Sequence, residues 1–520
     1  MLASTRPFQE GVDVTANAPE RKFGATRWLM LAVLCASLLL VAMDATILNV
    51  ALPSLIDDLH VGQLAQLWII DVYGLVLGGL LITTGAVGDR VGRKLLFLSG
   101  FVLFGVASVV AATAQSAGQL ITGRVLLALG GAMVMPSTLS LIRNIFTDPK
   151  ERTLAIGIWA AVAGAGATIG PIVGGVVVEM FGWASAFWLN VPVVVLTVIA
   201  GAWLLPEYRS PQSGRLDWLA AALSIAGIVS LAWGIKHIAK GEAGALDWGL
   251  FVLALLLLAW FARRQLRSAD PLLDVRLFRN GPFLAAALAT LLAMLAIGAA
   301  LFLISLWLQY IHGYSPSQAG LRTMPSAVTL LAASLSTPWL MQRLGVRAVL
   351  AIGLGALALG FLALALSPEP TTYPVIALVL ATFGLGDGLA VTAAAAVLVS
   401  AVPPERAGQA GAVSETNYEL GIGLGVALLG SIHARVFTEN MPGAGLQGAA
   451  LEQARGSVGG AAEVASEVDP ATRDQLVAET GHAFDVALTT TAYISSALVA
   501  VVAVVAVWLV PRGFRITGSH

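Results

Sequence analysis

Long apolar runs separated by short polar breaks occupy most of the chain. Most of the runs reach the roughly 20 residues that a helix needs to cross a bilayer. The pattern predicts spans near 28–52, 67–87, 95–114, 119–142, 154–177, 186–205, 217–235, 248–262, 283–311, 318–341, 348–366, 374–400, 411–434 and 486–510, about fourteen in all. The run at 248–262 is the shortest. Residues 1–27 are polar and hold no apolar core with a small-residue cleavage site, so they read as a tail and not as a signal peptide. A basic stretch lies at 262–282, and a long polar segment rich in Ala, Gly and Glu lies at 435–485. Within the latter, Asp469-Pro470 has the form of a helix start, with proline at the first helical position. Two short helices in a hairpin are expected there.

Composition agrees with this pattern and narrows it. Of 520 residues 58% are hydrophobic and 11% charged, against about 25% charged in a soluble protein. So few charges do not cover a water-soluble surface of this size. The 29 Lys and Arg balance 30 Asp and Glu, which leaves no basic excess for nucleic acid. Cys35 is the single cysteine, so an internal disulfide and a cysteine-rich metal site are excluded. The six histidines form no pair at ligand spacing, and no metal site is expected. The chain reads as an all-α polytopic membrane protein.

The distribution of charge orients it. With the N-terminus in the cytoplasm, about 22 Lys and Arg fall on the cytoplasmic side and about five on the other, with Arg124 and Arg322 inside spans. The asymmetry favours an even number of spans and two cytoplasmic termini. The 435–485 segment lies outside in this reading, with eight acidic residues against Arg435, Arg455 and Arg473.

Four motifs carry chemistry. The first span ends in Asp44-Ala-Thr-Ile-Leu-Asn49-Val-Ala-Leu-Pro53. A carboxylate inside a membrane costs several kcal/mol unless it is solvated, paired or protonated. Asp44 is therefore a proton or cation site, or else a structural partner of a neighbouring helix. After the second span, Gly85, Gly88, Asp89, Arg90, Gly92, Arg93 and Lys94 combine glycines for a tight turn with basic residues for the inner membrane face. In the fourth span, Gly123 and Arg124 precede Gly130-Gly131; a guanidinium at that depth needs a carboxylate or carbonyl partner. In the fifth, Gly166, Gly170 and Gly174 recur every four residues and make a smooth face for close helix contact. Pro171 removes one backbone hydrogen bond there and kinks the helix. Ordinary small-residue packing is the bland reading of that face. Trp183, Phe187 and Asn190-Val-Pro192 open the sixth span.

In this order the pieces resemble the major facilitator superfamily and, within it, the fourteen-helix drug:proton antiporters that include quaternary-ammonium and multidrug exporters. Asp44 to Pro53 resembles that branch's first-helix motif and Gly85 to Lys94 the superfamily's loop motif. Arg124 with Gly130 resembles the fourth-helix motif, and Gly166 to Gly175 the antiporter motif. Residues 66–73 (Gln66, Trp68, Asp71 and Tyr73 among them) also look like the bacterial exporters of this branch. Gln342, Arg343, Gly345 and Arg347 form a degraded second copy of the loop motif. The resemblance implies a cytoplasmic tail at 1–27, a six-helix bundle at 28–210 and an extra helix pair at 211–265. A linker at 266–282 and a second bundle at 283–510, carrying the 435–485 loop, would follow, with a tail at 511–520. It implies two bundles rocking about a midplane site in a bacterial cytoplasmic (inner) membrane, a monomer in contact with lipid. It further implies that Asp44 takes part in proton coupling with Arg124 nearby, and that Asp89 and Arg90 stabilise the outward-open state.

Inward of the span ends lie five acids: Asp44, Asp71, Asp387, Glu415 and Glu419, answered by Arg124 and by Arg322. Such an acidic interior favours cationic over anionic solutes. Glu415 and Glu419 are four apart and share a helix face. There they repel and titrate as a coupled unit, unless they simply face solvent at the helix start. Asp387 is flanked by Gly384, Gly386 and Gly388, which are expected to open the backbone and admit water, with a buried polar contact as the alternative. Asp44, Asp71, Glu415 and Glu419 are candidate substrate contacts together with Trp68, Tyr73 and Tyr418. Met133, Met135, Trp159 and Trp307 are weaker candidates, through cation–π or soft apolar contact. Asp44, Arg124, Asp387, Glu415 and Glu419 are the candidates for proton coupling.

Energetics permit this without a cofactor. One charge crossing 100 mV is worth about 2.3 kcal/mol, and one pH unit about 1.4 kcal/mol. Two protons entering per monovalent cation leaving would sustain about a hundred-fold gradient or more. No phosphate-binding Gly-x-x-x-x-Gly-Lys-Ser/Thr loop is present, so ATP has no site. The expected function is a proton-coupled antiporter that exports lipophilic cations such as quaternary ammonium biocides and dyes by alternating access. A lipid or metabolite exporter on the same fold is the alternative. An enzyme or receptor is disfavoured, because no catalytic cluster or signalling domain accompanies the spans.

Overall fold

The computed structural model describes residues 24–209, 217–240, 243–268, 271–368, 370–402, 407–512 and 514. All regular structure among them is helical. The helices are α1 (Thr26–Leu59), α2 (Gln63–Val91), α3 (Arg93–Ala112), α4 (Ala117–Ile145), α5 (Pro149–Phe181), α6 (Ser185–Trp188) and α7 (Asn190–Leu204). Next come α8 (Trp218–Lys240), α9 (Ala245–Arg267), α10 (Gly281–Leu306), α11 (Pro316–Arg322), α12 (Met324–Leu344), α13 (Val346–Ala365) and α14 (Tyr373–Ser400). The last are α15 (Ala407–Gly425), α16 (Ser431–Asn440), α17 (Gly448–Gly456), α18 (Val458–Glu467) and α19 (Pro470–Leu509).

Twelve described segments are long and apolar enough to cross a bilayer. The others that pack as full bundle members are α5, with 33 residues against α1, and α12, with 21 residues against α14. Helix α12 carries prolines and small or polar residues that dilute its apolar signal. Large side chains on the outer surface are apolar: Trp203 is 87% exposed, Leu196 68% and Leu256 62%. Water-facing surfaces avoid apolar areas of that extent, whereas lipid requires them. The chain is a multi-span membrane protein.

Helices α1 to α7 pack mainly among themselves, and so do α10, α12 to α16 and α19. The two groups meet where α2 crosses α15 and where α5 crosses α11. Helices α8 and α9 pack on each other, and α8 also lies against α2 and α16. A pair of π turns, at 307–311 and 426–430, extends α10 and joins α15 to α16. Toward the C-terminal end of α1, that helix is tied to the π turn that extends α10. Gln309 donates to the Val50 carbonyl at 3.1 Å, and Tyr310 donates to Asp57 at 2.8 Å.

Several boundaries differ from the sequence pattern. The expected span 248–262 is a full helix of 23 residues, because its Asp247 and its arginines sit in the terminal turns of an otherwise apolar rod. The helix expected at 217–235 runs on to Lys240. The segment at 435–485 is shorter than expected as a loop, since α16 continues to Asn440 and α19 begins at Pro470. Two short helices, α17 and α18, do lie between them. Asp469 caps α19 by accepting from the backbone N–H groups of Ala471 and Thr472, both at 3.1 Å.

Candidate functional site

Asp44 lies in the middle of α1, 1% exposed. One carboxylate oxygen accepts from Arg124 at 2.8 Å; the other accepts from Asn190 at 3.0 Å. Arg124 comes from α4 and is equally buried. It also donates to the Ile69 carbonyl at 3.2 Å and lies 4.4 Å from the centre of the Tyr73 ring. Asn190 at the start of α7 reaches Ser108 of α3 as well, at 3.1 Å. Four helices thus converge on one carboxylate. Both oxygens of the buried carboxylate are thereby met, which offsets part of the cost of burying it. Asn190 was legible as part of the Asn-Val-Pro sequence, but pairing it with Asp44 needed the fold.

Asp71 of α2 corrects the expected charge balance. It was counted among acids answered only by arginine. Lys236 of α8 reaches it at 3.0 Å, and both side chains are fully buried. The ammonium also lies 3.2 Å from the centre of the Trp68 ring, which packs on Trp233. The apolar run ending at 235 put Lys236 just outside the membrane; the extra turn of α8 brings it in. Arg322, the other expected counter-charge, is not in the interior. It ends α11 half-buried between the rings of Tyr314 and Tyr373.

The remaining acids come together. Glu415 and Glu419 share a face of α15, Glu415 half-buried and Glu419 7% exposed. Asp387 is 9% exposed on α14, and its Oδ1 has no hydrogen-bond partner. All three act electrostatically on the Tyr418 phenol. Glu419 is in turn influenced by Arg124, and Tyr73 by both Asp44 and Glu419. A chain of charges therefore runs from α1 through α4 and α2 to α15 and α14. Among the described residues, none of the three acids has an ion-pair partner. Helix α15 reaches α2 so closely because a Cβ at Gly74 would meet the Glu419 carbonyl at 2.9 Å.

The glycines around Asp387 have a different role from the one expected. Helix α14 stays regular through them. A Cβ at Gly384 or Gly388 would strike the backbone of α12, and one at Gly386 would strike α13. They bring three helices together and leave Asp387 on the remaining side.

The loop motif forms the expected tight turn. Only Gly92, at φ +121°, separates α2 from α3, a conformation that side-chain-bearing residues rarely adopt. The side chain of Asp89 lies outside the described part of the structure. Gly88 faces the Arg93 side chain, and Arg90 is half-buried in the last turn of α2. The turn docks on the segment after α7: the Arg93 N–H donates to the Tyr208 carbonyl at 2.9 Å, and the Lys94 N–H to Glu207 at 3.2 Å. Glu207 was not foreseen. Gly85 has only ordinary contact, with Pro136.

On α5, Gly166, Gly170 and Gly174 all face α1, against Ala42, Thr46 and Ile47. Pro171 and Gly175 face the other way, against Gly320 and Pro316 of α11. Of the weaker candidates, Met133 and Met135 are half-buried. Trp159 donates to Thr138 at 3.0 Å. Trp307 is fully buried and donates to Asp485 of α19 at 3.2 Å, so Asp485 is a helix contact and not a loop acid.

A set of membrane helices with paired and unpaired charges in its interior is the build of a transporter. The Major Facilitator Superfamily model matches residues 34–426, and the chain belongs to that superfamily. It is 41% identical over 497 residues to the multidrug efflux pump LfrA of Mycolicibacterium smegmatis, covering 95% of this chain and 98% of that one. It is 35% identical over 469 residues to the methyl viologen resistance protein SmvA of Salmonella typhimurium, covering 88% and 93%. Among solved structures, a bacterial homologue of the human lysosomal transporter Spinster, inward-facing and unoccupied, aligns with a TM-score of 0.64 at 17% identity. That match covers 94% of this chain and 99% of the other, and it shows the shared fold.

Proposed function

We propose that this protein is a proton-coupled antiporter that exports lipophilic cations, quaternary ammonium compounds and dyes among them, across a bacterial inner membrane with both its termini in the cytoplasm. The observation that carries the reading is the group of three carboxylates, Asp387, Glu415 and Glu419, gathered round Tyr418 without an ion-pair partner among the described residues. A buried acid without a counter-charge takes either a proton or a cation. The names of the relatives, a multidrug efflux pump and a methyl viologen resistance protein, agree with small drug-like cargo.

In the proposed cycle the ionised acids bind a cation from the cytoplasm or inner leaflet, and the helix groups rock outward. Protons arriving from outside then displace the cation. Asp44 and Arg124 link the acids to the first helix, and a proton on Asp44 would free Arg124 to turn toward Glu419. The smooth α1–α5 face supplies a sliding surface for this motion. The test is dye accumulation in everted vesicles driven by an imposed pH gradient. Accumulation that collapses when the gradient is dissipated supports the reading. Transport indifferent to the gradient, or equal for cations and neutral analogues, points instead to a lipid or metabolite exporter.

A further inference from the structure

The Asp71–Lys236 pair lies beside the seam where α2 meets α15. The Asp71 carbonyl is against Gly423, one turn from Glu419. Its environment is that of a cation-binding site: a carboxylate at 3.0 Å and a tryptophan face at 3.2 Å around one ammonium, with a second tryptophan behind. A carboxylate beside an indole face is also what attracts an alkylammonium ligand. Yet the pair is unevenly satisfied. Asp71 Oδ2 is buried without a partner, and the hydrogen bond from Lys236 to Oδ1 uses one of an ammonium's three donors. A structural ion pair persists when those positions are filled.

We propose that Asp71 and Trp68 form an alkylammonium site separate from the Asp387–Glu415–Glu419 group, and that Lys236 is its resident occupant. Lys236 acts there as a tethered cation that excludes external ones from the α2–α8 face. This rests on the proposed function only for the class of ligand. Binding is measured on purified protein, so it reads out even if the transport reading fails.

The experiment uses tetramethylammonium, which carries charge but donates no N–H hydrogen bond, and follows its binding by isothermal titration to full-length protein in detergent. The K236A variant vacates the site. Binding at least tenfold tighter than in wild type is expected, lost in D71N/K236A and weakened in W68L/K236A. A merely structural ion pair would be replaced by n-butylammonium, which hydrogen-bonds as lysine does, but not by tetramethylammonium. Equal affinity for tetramethylammonium in K236A and wild type would overturn the proposal. If K236A does not fold alone, it is prepared with tetramethylammonium chloride or with potassium chloride at equal ionic strength. Recovery of folded protein with the organic cation only supports the site. Failure of both preparations, while D71N/K236A folds, overturns it.

Discussion

Replacing Asp44 with asparagine removes one charge and almost no volume. The amide oxygen keeps a single acceptor where the carboxylate served both Arg124 at 2.8 Å and Asn190 at 3.0 Å. Arg124, 1% exposed, is left with the Ile69 carbonyl and the Tyr73 face. Breaking one side of a buried pair costs about 3–5 kcal/mol, because the other charge stays buried and unanswered. D44N and R124M should each lose about that much stability. The double variant D44N/R124M has no stranded charge and should recover most of it, which makes the coupling about 4 kcal/mol or more. Thermal unfolding of the four proteins in one detergent measures the cycle. Dye uptake into everted vesicles, run in parallel, should be lost in both singles and stay lost in the double, because the proposed proton switch needs the acid itself. Stability and transport should therefore separate. Near-zero coupling would refute the buried pair; wild-type transport by D44N/R124M would refute its part in the cycle.

Other consequences are equally specific. A G170V substitution puts bulk against Thr46 and Met43 and should cost about 1–3 kcal/mol by overpacking while stopping transport, read by unfolding and dye efflux. G92A forces a side chain into φ +121° and within 2.5 Å of Glu207, so it should lose about 1–3 kcal/mol of stability; E207A should recover part of that in a double variant. At the far end, hydrogen bonds from the side chain and N–H of Thr472 hold Asp469 below its ordinary value of 3.8. That depressed value means the cap is fully present above about pH 4 and is lost as pH falls through the folded-state value. Hydrogen exchange at Ala471 and Thr472 should quicken below that point in wild type, and be fast and insensitive to pH in D469A after correction for intrinsic rates.

How much of this the sequence contained depends on the range of the interaction. Helix spans, the Gly92 turn and the Asp469-Pro470 helix start are local, set by apolar length, a positive φ and a cap, and each was visible in a few residues. The Gly166, Gly170 and Gly174 face was visible from its spacing, though not that α1 covers it. Lys236 was hidden because hydropathy ends a helix at the first charge, while a buried partner 165 positions away keeps the helix going. Trp233, three residues earlier on the same face, is the local signal that points Lys236 toward Trp68. Asp485 was assigned to a loop for the same reason, since Trp307 lies on another helix. The glycines beside Asp387 carried a double meaning that spacing alone does not resolve. Opening for water and close packing both call for glycine, and the α12 and α13 backbones decide for packing.

The central claim is that proton and cation compete for the acids around Tyr418. Adding tetraphenylphosphonium to purified wild-type protein in weakly buffered detergent solution, with a pH indicator present, tests it most directly. The account predicts proton release on binding, saturating with the ligand and sharply reduced in E419Q and D387N. Saturable binding with no proton release in the wild-type protein would contradict it.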